Sequence, residues 1–585
     1  MTVSTPTVAP SSTMPLGAAP AAEPEPWQTF RPLSTRDHIA VRAASTDMDR
    51  WLHHIAPAAA CTRPIRLAGY RAEVEASTGR ILSSYDTAAM PDGVIYKACG
   101  SRLASVCPSC SRLYQQDAFQ LLRAGLVGGK GIPETVASHP AVFATFTAPS
   151  FGTVHTRVVR KHTCARRSRC DCRAEPCHAR TGPRDPRTCE HDTSAVCFAR
   201  HESGDRRIGK PLCLDCYDHN AHVMWNSFSG ELWRRTKQAA DRHLAAVARE
   251  RGIARVVIGY TPANKPRTVP AVRLTHGKAA EFQARGSVHF HVLVRLDGVA
   301  TLNPTAVVPP PPGFTADDIV TALQHASAIA FVTPAHPDQP EGWPIAWGPQ
   351  LDLRPLNLSG NDPITDGQVA GYLSKYATKG SEPAGHASAR ITDQTIDAYA
   401  DPAGDHIDRL IAACWHLGRP TTEPDTYDRL PPPWRATRLR PPWTCPECGH
   451  NTRLTVCVRC HPSSQALLDT QRAQYEPPDE DNPYSKLRRW AHLLGFGGHC
   501  FTTARRYSTT FTALRNARRD YHRTPTPVEP IRTADHTDEE TILIVGGLTY
   551  AGIGWHNTGD AILANTSAAM ARARREAARD ALTNH

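Results

Sequence analysis

The run Gly286-Ser287-Val288-His289-Phe290-His291-Val292-Leu293-Val294 constrains the fold more than any other stretch of the chain. Val288, Phe290, Val292 and Val294 alternate with the residues between them, which is the period of a half-buried β-strand. Alternation buries one face and sets His289 and His291 together on the other, about 7 Å apart along the strand. Two imidazoles at that spacing can hold one divalent metal ion. The motif alone is weak evidence. The chain has 28 histidines among 585 residues, so about one His-x-His arises by chance. An ordinary half-buried strand would carry it equally well.

A second signal follows at Gly371-Tyr372-Leu373-Ser374-Lys375-Tyr376-Ala377-Thr378-Lys379. It reads as a helix, with Thr365 and Gln368 spaced as a capping box and Gly380 as the stop. Tyr372 and Tyr376 are i, i+4 neighbours on one helical face, and Lys379 follows near Tyr376. Core packing with hydroxyls at the rim is the plain alternative for the tyrosines. The order of the whole set carries more weight than any member. Phe143-Ala144-Thr145-Phe146-Thr147 comes first, with Phe143, Thr145 and Thr147 on one strand face. Glu281-x-Gln283-x-Arg285-Gly286 follows, then His-Phe-His, then Tyr-x-x-Lys-Tyr-x-x-Lys. Glu281, Gln283, His289 and His291 share parity, so one unbroken strand would line them up, and Gly286 is where it would break.

This ordered set resembles the HUH endonucleases, named for two histidines around a hydrophobic residue. The nearest likeness is to the replication initiators of actinobacterial rolling-circle plasmids and integrative elements. The tyrosine helix is similar to the two-tyrosine helix of the gene A initiators of small single-stranded phages. The resemblance runs from about Cys99 to the C-terminus. It implies an antiparallel-sheet nuclease core; the irregular alternation of strand and helix patterns gives the same α+β class, with helices expected on one face, and the cysteine clusters and basic stretch add zinc modules and a basic helical C-terminal region. The resemblance also implies Mg2+ or Mn2+ on His289, His291 and a third ligand, Glu281 or, failing that, Gln283. Tyr376 would be the main nucleophile and Tyr372 the second, with Lys375 and Lys379 favouring the phenolate. The product would be a 5′-phosphotyrosine and a free 3′-hydroxyl primer at a plasmid origin, with a host helicase and polymerase as partners. A two-tyrosine transposase shares this chemistry, and a non-catalytic zinc-containing DNA-binding regulator is the alternative from another class.

The net charge of +11 suits a polyanionic partner such as DNA. Met1–Glu25 lacks the basic-apolar-cleavage pattern of a signal peptide, and no run of about 18 apolar residues exists to span a membrane. A cytoplasmic protein is expected, in which the 18 cysteines read as metal ligands rather than disulfides.

The chain divides as follows. Residues 1–30 form a disordered N-terminus rich in Pro, Ala, Ser and Thr. Residues 31–135 form a first module with Cys99 and a Cys107-Pro-Ser-Cys110 knuckle. Residues 136–385 form the nuclease domain, interrupted by a Cys- and Arg-rich insertion at 160–219. There Cys213-Leu-Asp-Cys216 is the clearest half-site for Zn2+. Cys107 and Cys110 would complete it through space; the alternative is two separate sites, or some unliganded cysteines. Residues 386–435 connect. Residues 436–465 hold Cys445, Cys448, Cys457 and Cys460 as C-x2-C-x8-C-x2-C, the strongest zinc signal in the chain. Residues 483–525 are basic and aromatic, with Arg488, Arg489, Arg505, Arg506, Arg515, Arg518 and Arg519 as DNA-binding candidates. A solvated helix over a small core is the competing reading. Residues 541–585 end the chain as a hairpin or strand pair followed by a basic helix.

Overall fold

The alternating run around His289 forms the middle of an antiparallel sheet. A computed structural model describes residues 33–159, 174–178, 188–356, 366–379, 390–419, 443–444, 446, 451–452, 483–523 and 542–583. The chain forms two units, Cys99–Glu539 and Met1–Ala98 with Glu540–His585.

The larger unit is built on six strands: β1 (Ala141–Phe146), β2 (Val272–Phe282), β3 (Val288–Ala300), β4 (Asn303–Val308), β5 (Leu351–Leu356) and β6 (Phe501–Thr503). Their order is β5-β1-β3-β2-β6, with β4 also on β3, and every pairing is antiparallel. The alternation places Val288, Phe290, Val292 and Val294 in one large core. Three helices cover that face: α2 (His219–Glu250), α3 (Ala316–Ser327) and α5 (His406–Leu417). They supply Val223, Trp225, Leu232, Ile319, Leu323, Leu410 and Ile411 to it.

Helices also cover the opposite face, contrary to the one-sided arrangement the sequence suggests. Beyond the two histidines that face turns apolar at Ala279 and Leu293, and it buries those residues in a second core. The covering helices are α1 (Pro108–Val127), α4 (Asp366–Tyr376) and α6 (Phe511–Arg523). Leu121, Leu122, Leu373 and Leu514 are their contributions. Because the apolar side of α1 packs here, the knuckle at Cys107 and Cys110 belongs to this unit. The boundary falls after Ala98, not near 135.

The segment 483–523 is likewise part of the sheet unit rather than an appended module. Leu487, Phe496, Phe501 and Tyr507 are buried, and β6 extends the sheet beside β2. These aromatics are spent on the core and cannot stack on bases.

The smaller unit joins the two ends of the chain. Ile542–Ile553 is one long strand that pairs along Ile65–Glu75 instead of folding on itself as a hairpin. Ile81–Asp86 flanks Ile65–Glu75 on its other side, and Ile95–Lys97 pairs with its start. Trp51, Ile55, Tyr96 and Trp555 form the core of this unit. Arg42 ties it together by pairing with Asp92 at 2.6 Å and Asp560 at 3.0 Å. The helix Thr558–Thr583 follows, as the sequence suggests. Among the described residues no helix is long and apolar enough to cross a membrane.

Candidate metal and tyrosine centre

Gly286 does break the strand, and the break builds the site. Gln283 N–H donates to Ser287 O at 2.9 Å and Gly286 N–H to Gln283 O at 2.8 Å, closing a tight turn between β2 and β3. Gly286 has φ +87°, a conformation that favours glycine. The hairpin brings Glu281 directly opposite His289, and Ala279 opposite His291. Alignment of these residues is therefore cross-strand, not along one strand.

Asn226 of α2 clamps the turn from beneath. It is wholly buried. Its Nδ2 donates to Gly286 O at 3.1 Å and Leu494 O at 2.9 Å, while Oδ1 accepts from Val288 N–H at 3.0 Å. The residue was not legible as functional: a lone Asn in a long helix carries no motif.

His289 Nε2 and His291 Nε2 lie 3.0 and 3.1 Å from the same oxygen, Glu281 Oε2. The other ring nitrogens are held from outside the cluster. His291 Nδ1 is 3.1 Å from Thr145 Oγ1 on β1, and His289 Nδ1 is 3.3 Å from Gln283 Nε2. Gln283 thus orients His289 and is not itself among the converging ligand atoms; its own oxygen accepts from Arg285 and Ser287. The donor atoms of Glu281, His289 and His291 all lie within 4.8 Å of one another. Two imidazole nitrogens and a carboxylate oxygen, each imidazole fixed through its far nitrogen, make a donor set that fits a divalent ion.

The tyrosine helix lies over this cluster. The Tyr376 ring stacks on His291 with centroids 4.8 Å apart and planes 25° from parallel. Tyr372 meets His291 edge-on at 5.5 Å and Tyr376 at 4.9 Å. Phe143 backs His291 from β1. Tyr376 is 7% exposed and Tyr372 46%. The helix ends at Tyr376, earlier than expected, and a turn carries Lys379 back toward the sheet. Lys379 Nζ lies 2.9 Å from Glu281 Oε1 and 4.6 Å from the centre of the Tyr376 ring. Arg102 fixes that turn by donating to Lys379 O. Lys375 is exposed, so Lys379 is the lysine that reaches the centre. Thr365 and Gly380 lie outside the described residues.

The electrostatics follow from this packing. Burial pushes the Glu281 carboxyl up, but hydrogen bonds with His289, His291 and Lys379 outweigh it and hold it well below the usual carboxylate range. Burial holds His291 below the ordinary imidazole value, which favours the neutral ring a metal needs. Tyr376 is pushed far above a normal phenol by burial, then by its hydrogen bond with Tyr372 and the charge of Glu281. At rest it is a protonated phenol.

The cysteine sites differ from expectation. Cys213 and Cys216 are joined by Cys189 and His191, while Cys107 and Cys110 gather with Cys99. The two half-sites therefore belong to separate groups. Cys445, Cys448, Cys457 and Cys460 lie outside the described residues, as do Cys164, Cys170 and Cys172.

The arginine candidates divide. Arg488 donates to Trp415 O at 3.0 Å and lies over the Trp415 ring. Arg515 and Arg518 pair with Asp117, which is wholly buried in α1. Arg489 lies against the Trp490 ring. Arg505 and Arg506 line a shallow cleft with Ile132, Thr305 and Val307. Arg519 is exposed on α6.

Fold and site together define an α+β protein whose central antiparallel sheet presents a candidate metal centre with two tyrosines beside it. Residues 47–569 match the family described as RepSA, replication initiator protein, pSAM2. Over 548 residues the chain is 33% identical to a replication initiator protein of Streptomyces ambofaciens, covering 92% of this chain and 94% of that one. The chain belongs to this replication initiator family. No solved structure matches it.

Proposed function

We propose that this replication initiator starts replication by cutting one strand of its origin DNA through transesterification to tyrosine. Tyr376 Oη forms a bond to the scissile phosphorus, and the bond from phosphorus to the 3′ oxygen breaks. The phenol gives up its proton and the departing 3′ oxygen gains one, leaving a 5′-phosphotyrosine and a 3′-hydroxyl that primes a host polymerase. A host helicase would open the duplex ahead of it. The observation that supports this reading is the convergence of His289 Nε2, His291 Nε2 and Glu281 Oε2 beneath the rings of Tyr372 and Tyr376.

A divalent cation such as Mg2+ or Mn2+, held by His289, His291 and Glu281, would polarise the scissile phosphate and offset developing charge. Thr145 and Gln283 keep the two rings aimed at that position. Lys379 balances the Glu281 charge and sits beside Tyr376, where a cation favours the phenolate. Tyr372, more exposed on the same helical face, is placed for the second strand transfer that ends a replication round. The bond energy is conserved in the phosphotyrosine, so the second transfer needs no ATP.

The test is cleavage of supercoiled plasmid carrying the element's own origin, with Mg2+, Mn2+ or chelator, and isolation of a DNA–protein adduct. The reading expects metal-dependent nicking and an adduct. Binding without nicking under every metal condition would leave a DNA-binding regulator in its place.

A further inference from the structure

The insertion between β1 and α2 holds eight Cys and His side chains that fall into two four-membered groups. One is His155, Cys177, Cys197 and His201; the other is Cys189, His191, Cys213 and Cys216. Within each group the ligand atoms lie within 4.8 Å of one another. The separations suit one ion. Tetrahedral ligands about 2.0–2.3 Å from zinc lie about 3.3–3.8 Å apart. Here His155 Nδ1 is 3.2 Å from His201 Nε2, and Cys197 Sγ is 3.5 Å from the same nitrogen. In the other group His191 Nδ1 is 3.3 Å from Cys216 Sγ and 3.8 Å from Cys213 Sγ.

The surroundings are those of ligands rather than of chance neighbours. His201 Nδ1 is 2.7 Å from Asp205 Oδ2, which leaves Nε2 free as a donor. Asp205 is in turn held by Arg207 at 2.8 Å. Thr156 N–H points at Cys177 Sγ from 3.2 Å. The backbone N–H groups of Asp215 and Cys216 point at Cys213 Sγ. Amide hydrogens aimed at sulfur stabilise a thiolate, the form that binds metal.

Chain order makes the arrangement specific. The ligands arrive as His155 and Cys177, then Cys189 and His191, then Cys197 and His201, then Cys213 and Cys216. The first and third pairs form one group, the second and fourth the other. We propose that residues 155–216 are a cross-braced module holding two structural zinc ions, one with two thiolates and two imidazoles, the other with three thiolates and one imidazole. Such a brace holds a segment whose described residues are loop-rich, with few buried apolar side chains among them. It also meets the catalytic hairpin. A Cβ at Gly209 would lie 2.6 Å from the Ala284 carbonyl carbon and 2.7 Å from Arg285 N, so the module rests on the turn that leads to His289.

The test uses the full chain purified under reducing conditions, its zinc counted by native mass spectrometry. Zinc is then withdrawn stepwise with a chelator while exposed thiols are alkylated and mapped. Cys177 and Cys197 should gain label together, and Cys189, Cys213 and Cys216 together. Variants give an independent reading. Cys177→Ser with Cys197→Ser should lose one zinc relative to wild type, and Cys177→Ser with Cys189→Ser should lose two. Sequential sites would reverse those counts, and that result, or co-labelling of Cys177 with Cys189, would overturn the cross-brace. Free alkylation of all five cysteines in the untreated protein would overturn zinc binding itself. Neither readout depends on nicking, so failure here is distinguishable from failure of the proposed cleavage.

Discussion

Glu281 and His289 face each other across the β2–β3 hairpin, with the carboxylate Oε2 3.0 Å from the imidazole Nε2. The same oxygen meets His291, so removal of any one of the three opens the donor set. Glu281→Ala, His289→Ala and His291→Ala are each expected to lower origin nicking by roughly 100-fold or more, the scale for losing one electrostatic group at a reacting centre. Affinity for origin DNA, measured by mobility shift, should stay close to wild type, because none of the three is among the arginines, such as exposed Arg519, expected to contact phosphates. Full cleavage by the His289/His291 double variant in Mg2+ or Mn2+ would sink the metal assignment.

Much of this centre was legible because strand alternation is a strictly local code. Val288 to Val294 announces its two faces without reference to the rest of the chain, but not that helices cover both of them. The carboxylate partner was also legible as a residue, but its placement was not, since only Gly286 hints at the hairpin that sets Glu281 beside His289. Asn226 and Thr145 act through space from distant elements and leave no periodic trace. The two Cys/His groups were hidden for a topological reason: interleaved pairs defeat any pairing by sequence neighbours. The basic segment misled because Phe496, Phe501 and Tyr507 look the same in sequence whether they stack on bases or fill a core. The end of the chain reads locally as a hairpin or strand pair because nothing near Ile542–Ile553 marks its actual partner, Ile65–Glu75, hundreds of residues away.

Asn226 satisfies two buried backbone groups at the hairpin and a third at Leu494, and nothing apolar can replace it. Asn226→Ala should cost about 2–4 kcal/mol in chemical denaturation, because Gly286 O, Leu494 O and Val288 N–H are left without that partner. It should also depress nicking through misplacement of His289. A stability change below about 0.5 kcal/mol, the level of an ordinary surface substitution, would show that the clamp is unimportant.

His219 and His406 lie 3.2 Å apart, and His406 Nε2 donates to Arg285 O at 2.8 Å. Burial is the largest cause holding both near 4. Each is therefore neutral in the folded chain while the unfolded chain takes up a proton below about 6.5. The unfolded state binds more protons, so stability is full at neutral pH and falls as pH drops from 6.5 toward 4. By pH 5 one such group should cost about 1–2 kcal/mol. His406→Gln keeps an N–H for the Arg285 carbonyl but cannot titrate, so its urea midpoint should fall less between pH 7 and pH 5. An equal fall in both proteins would count against this pair as the source.

Arg518 and Arg519 are adjacent on α6 but have different work. Arg518 pairs with buried Asp117, whereas Arg519 is exposed. Arg518→Ala should lower stability by about 1 kcal/mol, reduced from a fully buried pair by solvent screening and by the remaining contact from Arg515. Arg519→Ala should leave stability unchanged and weaken DNA binding, lowering the slope of log affinity against log salt by about 1. The reverse pattern, with Arg518 carrying the salt dependence, would move the DNA-binding surface toward α1.

The two tyrosines share one helical face but not one environment. Tyr376 is packed on His291 beside Lys379, and Tyr372 stands more open above it. Initiation by rolling-circle chemistry needs one strand transfer to start and another to finish. The ring nearest the donor atoms suits the first, and the exposed ring suits capture of the strand that returns. Tyr376→Phe should therefore remove most cleavage of a single-stranded origin oligonucleotide, while Tyr372→Phe should cleave but fail in strand transfer. Phenylalanine keeps the stacking on His291, so the loss reports the hydroxyl rather than the fold. Trapping the 5′-phosphotyrosine adduct and locating it by peptide mass decides the matter. An adduct on Tyr372 alone would exchange the two roles, and cleavage with an adduct on neither would mean that water, not tyrosine, attacks the phosphate.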